Sequence, residues 1–136
     1  MNNPFEQPGA FSWCELITTD PDAAREFYNK LFGWEMQQSP MQGMIYTVLK
    51  AGGEDVGGLM GMPPGMPEGT SPQWNPYVTV EDVDASAKLA EELGATITVP
   101  PMDVPDVGRL CQLRDPQGAS IFMITYVPQM EESPST

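Results

Sequence analysis

Two stretches of this chain repeat one pattern. WCELITTDPDAAREFYNKLFGWEM runs from Trp13 to Met36, and NPYVTVEDVDASAKLAEELGATIT runs from Asn75 to Thr98. Setting Asp20 against Asp82 also pairs Asp22 with Asp84, Ala23 with Ala85 and Leu31 with Leu93, and a single-residue gap matches Gly33 with Gly94. Each copy reads as strand, acidic helix start, amphipathic helix, glycine, strand. Such a duplication permits few folds, because each half makes the same supersecondary unit and has to bury the same apolar face. A length of 136 residues leaves room for one compact domain built from two such units, and hardly for two independent ones.

The helices have local reasons to form. Asp20 is placed to cap the first, Pro21 suits the first helical position, and Asp22 favours the positive helix end. Ala23, Phe27 and Leu31, with their neighbours Ala24 and Tyr28, predict its apolar face. The second helix is expected from Asp82–Asp84 through Ala85, Leu89 and Leu93, with Gly94 as its stop. Strand-like segments follow each helix: GWEMQQ, MIYTVLK and DVGGLMG in the first half, ATITV, GRLCQLR and ASIFMITYV in the second. DPQG at 115–118 predicts the turn joining the last two strands. PPMDVPDVGR at 100–109 reads as a loop ahead of the strand that carries Arg109. The resulting order is βαβββ (10–61), a Pro/Gly linker (62–72), βαβββ (73–128) and a polar tail (129–136) expected to be mobile, all within one domain of 1–136.

Composition removes several function classes. The net charge of -13 opposes a phosphate backbone and an anionic membrane surface, so neither nucleic acid nor membrane is an expected partner. No apolar run approaches the ~20 residues of a membrane helix, and MNNPFEQPGAF lacks the basic and apolar parts of a secretory signal, so a cytoplasmic location is expected. Cys14 and Cys111 lie in predicted strands without metal-ligand spacing and read as buried free thiols. The chain has no histidine, so any metal would need carboxylates, thiolates or backbone oxygens, and any general base would be Asp, Glu, Lys, Tyr or Cys.

Taken together, the strand–Asp20–helix opening with Phe27, Tyr28 and LFGW at 31–34, the duplicated βαβββ order, and GR…DPQGA…F at 108–122 resemble the vicinal oxygen chelate superfamily of glyoxalases, bleomycin-resistance proteins and extradiol dioxygenases. The resemblance covers residues 10–128. It implies an α+β fold in which paired modules form a concave mixed sheet around a small-molecule site, commonly in a homodimer. Metal-dependent members of the superfamily carry His or Glu ligands on four strands. Carried over residue by residue, those positions are Trp13, Gly58, Asn75 and Phe122. None of these is a usual divalent-metal ligand, so no metal and no other cofactor is expected.

One carboxylate, Glu15, sits two residues past the first of those positions, within the apolar strand FSWCELIT. Strand alternation places Trp13, Glu15 and Ile17 on one face, and Cys14 and Leu16 on the other. The duplication puts Asn75, Tyr77 and Thr79 in corresponding places, with Val56, Gly58 and Met60 from the fourth strand and Phe122 and Ile124 from the last. The expected site is an aromatic-walled pocket with Trp13, Glu15, Met60, Asn75, Tyr77 and Phe122 as ligand contacts, and Arg109 as an anion contact or a structural ion pair. Met36, Met41, Met44, Met60, Met62, Met66 and Met102 read first as packing filler, several of them lying at strand ends or the linker where they could form a deformable apolar rim. Glu15 itself has three readings: a ligand contact, a general base, or a structural residue that points toward water or pairs with Arg109 or Arg114. Three functions follow: metal-free binding of a small organic molecule in the manner of resistance proteins, a lyase, isomerase or glyoxalase-type enzyme with Glu15 as its base, or a regulatory interaction protein.

Overall fold

In the computed structural model, residues 3–41, 44–63 and 69–127 are described. The centre of the Pro/Gly linker with Met66, and the 129–136 tail, lie outside them. The described residues hold eight strands and two helices: β1 (Phe11–Thr18), α1 (Pro21–Phe32), β2 (Glu35–Met41), β3 (Met44–Ala51), β4 (Glu54–Gly61), β5 (Gln73–Thr79), α2 (Val83–Glu92), β6 (Thr96–Val104), β7 (Gly108–Arg114) and β8 (Ser120–Tyr126). This is the duplicated βαβββ order of a mixed α+β fold. Two compact units share it: Trp13–Pro76, and residues up to Ser12 together with those from Tyr77 onward. The N-terminal segment belongs with the second unit because Gly9 N–H donates to Thr79 O at 2.8 Å and Thr79 N–H to Ala10 O at 2.9 Å.

In the first unit the strand order is β2-β3-β4-β1, parallel between β1 and β4 and antiparallel elsewhere. In the second, β5-β8-β7-β6 repeats that scheme, with β5 and β8 parallel. The outermost strands tolerate proline. Pro40 lies on β2, and Pro100 and Pro101 on β6, where a missing N–H costs no inner ladder bond. That is why the 100–109 segment, expected as a loop, is strand as far as Val104. Register shifts between Ile97 and Val99 and between Val99 and Met102 absorb the prolines.

Both helices start as their sequences require. Asp20 accepts from Ala23 N–H and Asp82 from Ala85 N–H, each at 3.1 Å, and Gly33 ends α1 in the left-handed region at φ 74°. Their packing faces meet expectation only in part. In α1, Ala24 and Tyr28 pack on Leu16, Leu49 and Leu59, whereas Phe27 and Leu31 are 57% and 56% exposed. In α2, Val83 and Ala87 are buried against Cys111, Leu113 and Met123, whereas Leu89 and Leu93 lie in solvent. Each helix carries two adjacent apolar stripes. The one holding small residues faces the sheet, where they let the helix approach closely. Met36 packs in the α1 core rather than on a rim, since β2–β3 register sets it opposite Leu49.

The DPQG turn forms as read. The Asp115 carboxylate accepts from the N–H groups of Gln117 and Ala119 at 2.9 and 3.0 Å, and Gly118 takes φ 98°. Among the described residues, no helix is long and apolar enough to cross a membrane.

Candidate functional site

Register decides which of the flagged side chains meet. In the first unit Glu15 lies opposite Gly58 and Ile17 opposite Met60 across β1–β4, and Val48 lies opposite Gly58 across β3–β4. Alternation then gathers Trp13, Glu15, Ile17, Tyr46, Val48, Gly58 and Met60 on the face away from α1. There, three polar groups join in a line. Trp13 Nε1 donates to Tyr46 Oη at 2.8 Å, and Tyr46 Oη donates to Glu15 Oε2 at 2.8 Å. Tyr46 is only 7% exposed, and Trp13 and Glu15 are half-buried. A Cβ built on Gly58 would stand 1.7 Å from Tyr46 Oη. The phenol therefore fills the space a side chain at position 58 would need.

Sequence reasoning found Trp13, Glu15 and Gly58 but missed Tyr46. The available signal was the Gly57–Gly58 pair inside a strand, since glycine in a strand interior often marks the close approach of another group. Gly57 serves the same purpose on the opposite face, where an added Cβ would lie 2.5 Å from the Cys14 carbonyl oxygen.

The α1 side of this unit is chemically different. A groove of roughly 520 Å³ opens there, lined by Cys14, Tyr28, Phe32, Trp34, Leu49 and Trp74. Val56, expected beside Gly58 and Met60, lines this groove instead, because a bulge between Leu49 and Lys50 breaks the alternation at that point. Burial pushes the Cys14 thiol pKa up, and the Glu15 charge adds to this against a backbone hydrogen bond that lowers it. Cys111, fully buried in the second unit, is likewise pushed up, first by burial and then by the charges of Asp84 and Glu91. Both thiols are free, Cys14 being only partly buried.

Asn75, also in the first unit, is 6% exposed and accepts from Gln73 Nε2 at 3.2 Å. In the second unit Tyr77 and Phe122 are cross-strand partners whose rings stack at 4.5 Å with 18° between planes. They occupy the face away from α2. Arg109 does not. Its register with Thr125, two residues along from the Cys111–Met123 pair, puts it on the α2 side. Its guanidinium binds Asp84 at 2.8 and 3.0 Å and Asp103 at 3.1 Å. Of its two expected roles the ion pair is the one formed, and strand parity removes Arg109 from the face of Tyr77 and Phe122.

The Arg109 hydrogen bonds hold the Asp84 carboxyl below its ordinary pKa, the nearby positive charge acting in the same direction. A depressed folded-state pKa contributes stability that is fully present above the unfolded value of about 3.9 and is lost as pH falls through the folded value. The expected result is that Asp84→Asn unfolds at lower urea than wild type at pH 7, and that this gap closes as the pH is taken down towards 3. Urea midpoints at stepped pH check it.

The chain belongs to the glyoxalase/bleomycin resistance protein/dioxygenase superfamily, whose family model matches residues 10–122. CFP32 of Mycobacterium tuberculosis (strain CDC 1551 / Oshkosh), provisionally named a glyoxylase, is 40% identical over 115 residues, which are 83% of this chain and 44% of that protein. The anthracycline biosynthesis protein DnrV of Streptomyces peucetius is 32% identical over 117 residues, 86% of this chain and 42% of that one. The chain thus spans less than half the length of these relatives. Among solved structures, methylmalonyl-CoA epimerase from Mycobacterium tuberculosis matches with a TM-score of 0.67 at 17% identity, covering 92% of each chain. A Streptomyces coelicolor methylmalonyl-CoA epimerase variant in complex with 2-nitronate-propionyl-CoA matches at 0.64 and 18%, covering 90% of this chain and all of that one. Likeness at these identities establishes the fold alone.

Proposed function

We propose that this chain binds a small organic molecule on the Glu15 face of its first unit, without the metal used by metal-dependent members of its superfamily. The observation that carries this is the Trp13–Tyr46–Glu15 line, which stands where the first module would present metal ligands. Trp13 offers only an N–H donor, and that donor is turned to Tyr46. Gly58 offers no side chain, and Tyr46 occupies the space for one. Asn75 presents its amide oxygen to Gln73, and Phe122 is a stacked hydrocarbon ring. These residues do not fit a divalent cation. Among the described residues, no three His, Cys, Asp or Glu side chains are grouped to hold one.

What they do fit is an organic ligand. Trp13 and Met60 supply apolar surface and Glu15 supplies an acceptor, so the favoured ligand carries an ammonium, hydroxyl or other donor on an apolar body. Asn75 and the Tyr77–Phe122 stack remain proposed ligand contacts, each within its own unit. A homodimer in the cytoplasm belongs to the same proposal, with β2 and β6 as the outer strands needing protection. A thermal-shift screen of amines, acyl thioesters and planar aromatic compounds tests the binding. Compounds that stabilise wild type are expected to lose most of that effect on Glu15→Gln. Equal stabilisation of both proteins contradicts the reading.

The Tyr46–Glu15 pair also favours a second reading, an enzyme of the isomerase or lyase type in which Glu15 accepts a proton. Exchange of an acidic C–H with deuterated solvent, reduced about 100-fold or more by Glu15→Gln, would distinguish it from binding alone.

A further inference from the structure

We infer that Tyr46 is a positioning residue for Glu15, its hydroxyl proton aimed by the Trp13 indole and its place in the sheet opened by Gly58. The direction of each hydrogen bond follows from proton counts. An indole N–H can only donate, so the Tyr46 oxygen accepts from Trp13 at 2.8 Å. A phenol has a single proton, and the Glu15 oxygen 2.8 Å away receives it. Trp13 thereby occupies a lone pair of the Tyr46 oxygen while the Tyr46 proton points to Glu15, and Glu15 is held as an acceptor. A hydrogen bond to the charged form of a carboxyl favours that form, so the face selects ligands that donate hydrogen bonds or carry positive charge, and rejects anions.

The arrangement is built into the backbone. Tyr46 is buried to 7% exposure, and a methyl at position 58 would overlap its oxygen at 1.7 Å and its ring carbons at 2.3 and 2.9 Å. Three positions that appear unrelated in the sequence, on β1, β3 and β4, thus form one device. Nothing in a merely space-filling role for Trp13 and Tyr46 requires both polar atoms to be in line.

This inference rests on Glu15 being the working group of the proposed site, but it is tested without any ligand, so the two fail separately. The experiment follows the Glu15 side-chain carboxyl by carbon NMR across pH, and the Trp13 indole N–H by solvent exchange, in wild type, Tyr46→Phe and Trp13→Phe. Glu15→Gln assigns the carboxyl resonance. In Tyr46→Phe the Glu15 midpoint is expected to rise by about one pH unit, a tenfold change in proton affinity. The Trp13 indole proton should exchange about tenfold faster or more. Trp13→Phe should raise the Glu15 midpoint by less, because the phenol keeps its proton but loses its orientation. An unchanged Glu15 midpoint and unchanged indole exchange in a folded Tyr46→Phe would overturn the inference. If Tyr46→Phe fails to fold, an unmoved Glu15 midpoint in Trp13→Phe would do the same.

Discussion

Gly58→Ala is expected to destabilise the protein by roughly 3 kcal/mol, although it adds a single methyl group. The new Cβ would sit 1.7 Å from Tyr46 Oη and 2.3 Å from the ring carbon bearing it, so the tyrosine has to leave. Leaving breaks both hydrogen bonds of the line, whose polar groups are at least half-buried. Overpacking of this kind ordinarily costs about 1–3 kcal/mol, and each buried polar group left unmatched about 1–3 more, partly relieved by water. Chemical denaturation measures the loss. Pairing Gly58→Ala with Tyr46→Ala is expected to cost less than the sum of the two singles, because the double variant no longer contains the clash. Strict additivity would show that Gly58 and Tyr46 do not share that space.

One residue along, Leu59→Ala is expected to cost about 3–4 kcal/mol by the opposite mechanism, a cavity. Leu59 is 0% exposed on the α1 face, packed with Leu16 and Leu49. Cores of this density relax only partly around lost methyl groups. Because alternation turns Leu59 away from Tyr46, its loss should leave the Glu15 titration where it was, while Gly58→Ala should move it. Adjacent substitutions of similar cost with different consequences at Glu15 separate stability from site chemistry. If Leu59→Ala shifted Glu15 as much as Gly58→Ala did, the two faces would not be independent.

The architecture was largely legible because it was written twice. The Asp20 and Asp82 caps, the Pro21 helix start and the repeated strand–helix–strand order each have a local cause, and the two units repeat one strand scheme. Helix faces were legible only in part. Phe27–Leu31 and Ala24–Tyr28 are both helical stripes, and which one is buried depends on the shape of the sheet beneath, which no periodicity reports. The same limit applies to Val56, where a bulge changes parity, and to the 100–104 segment, where position at the end of the strand order permits proline.

The site was half legible. Period-two alternation put Trp13 and Glu15 on one face and the family resemblance pointed to position 58, but Tyr46 depends on the register of β3 against β4, which is a tertiary fact. Arg109 fell on the wrong side for a related reason. Its role turns on the parity of β7 relative to α2, and Asp84 at the start of α2 was in reach to claim it.

The most direct test of the account is the metal content of the protein purified without a metal-affinity tag, measured by elemental mass spectrometry before and after incubation with nickel, zinc, iron and manganese and exhaustive dialysis. A face organised by Trp13, Tyr46 and Glu15, with glycine at position 58, should retain far less than one metal per chain under every condition. One tightly held metal per chain, lost in Glu15→Gln, would contradict it and make Glu15 a ligand.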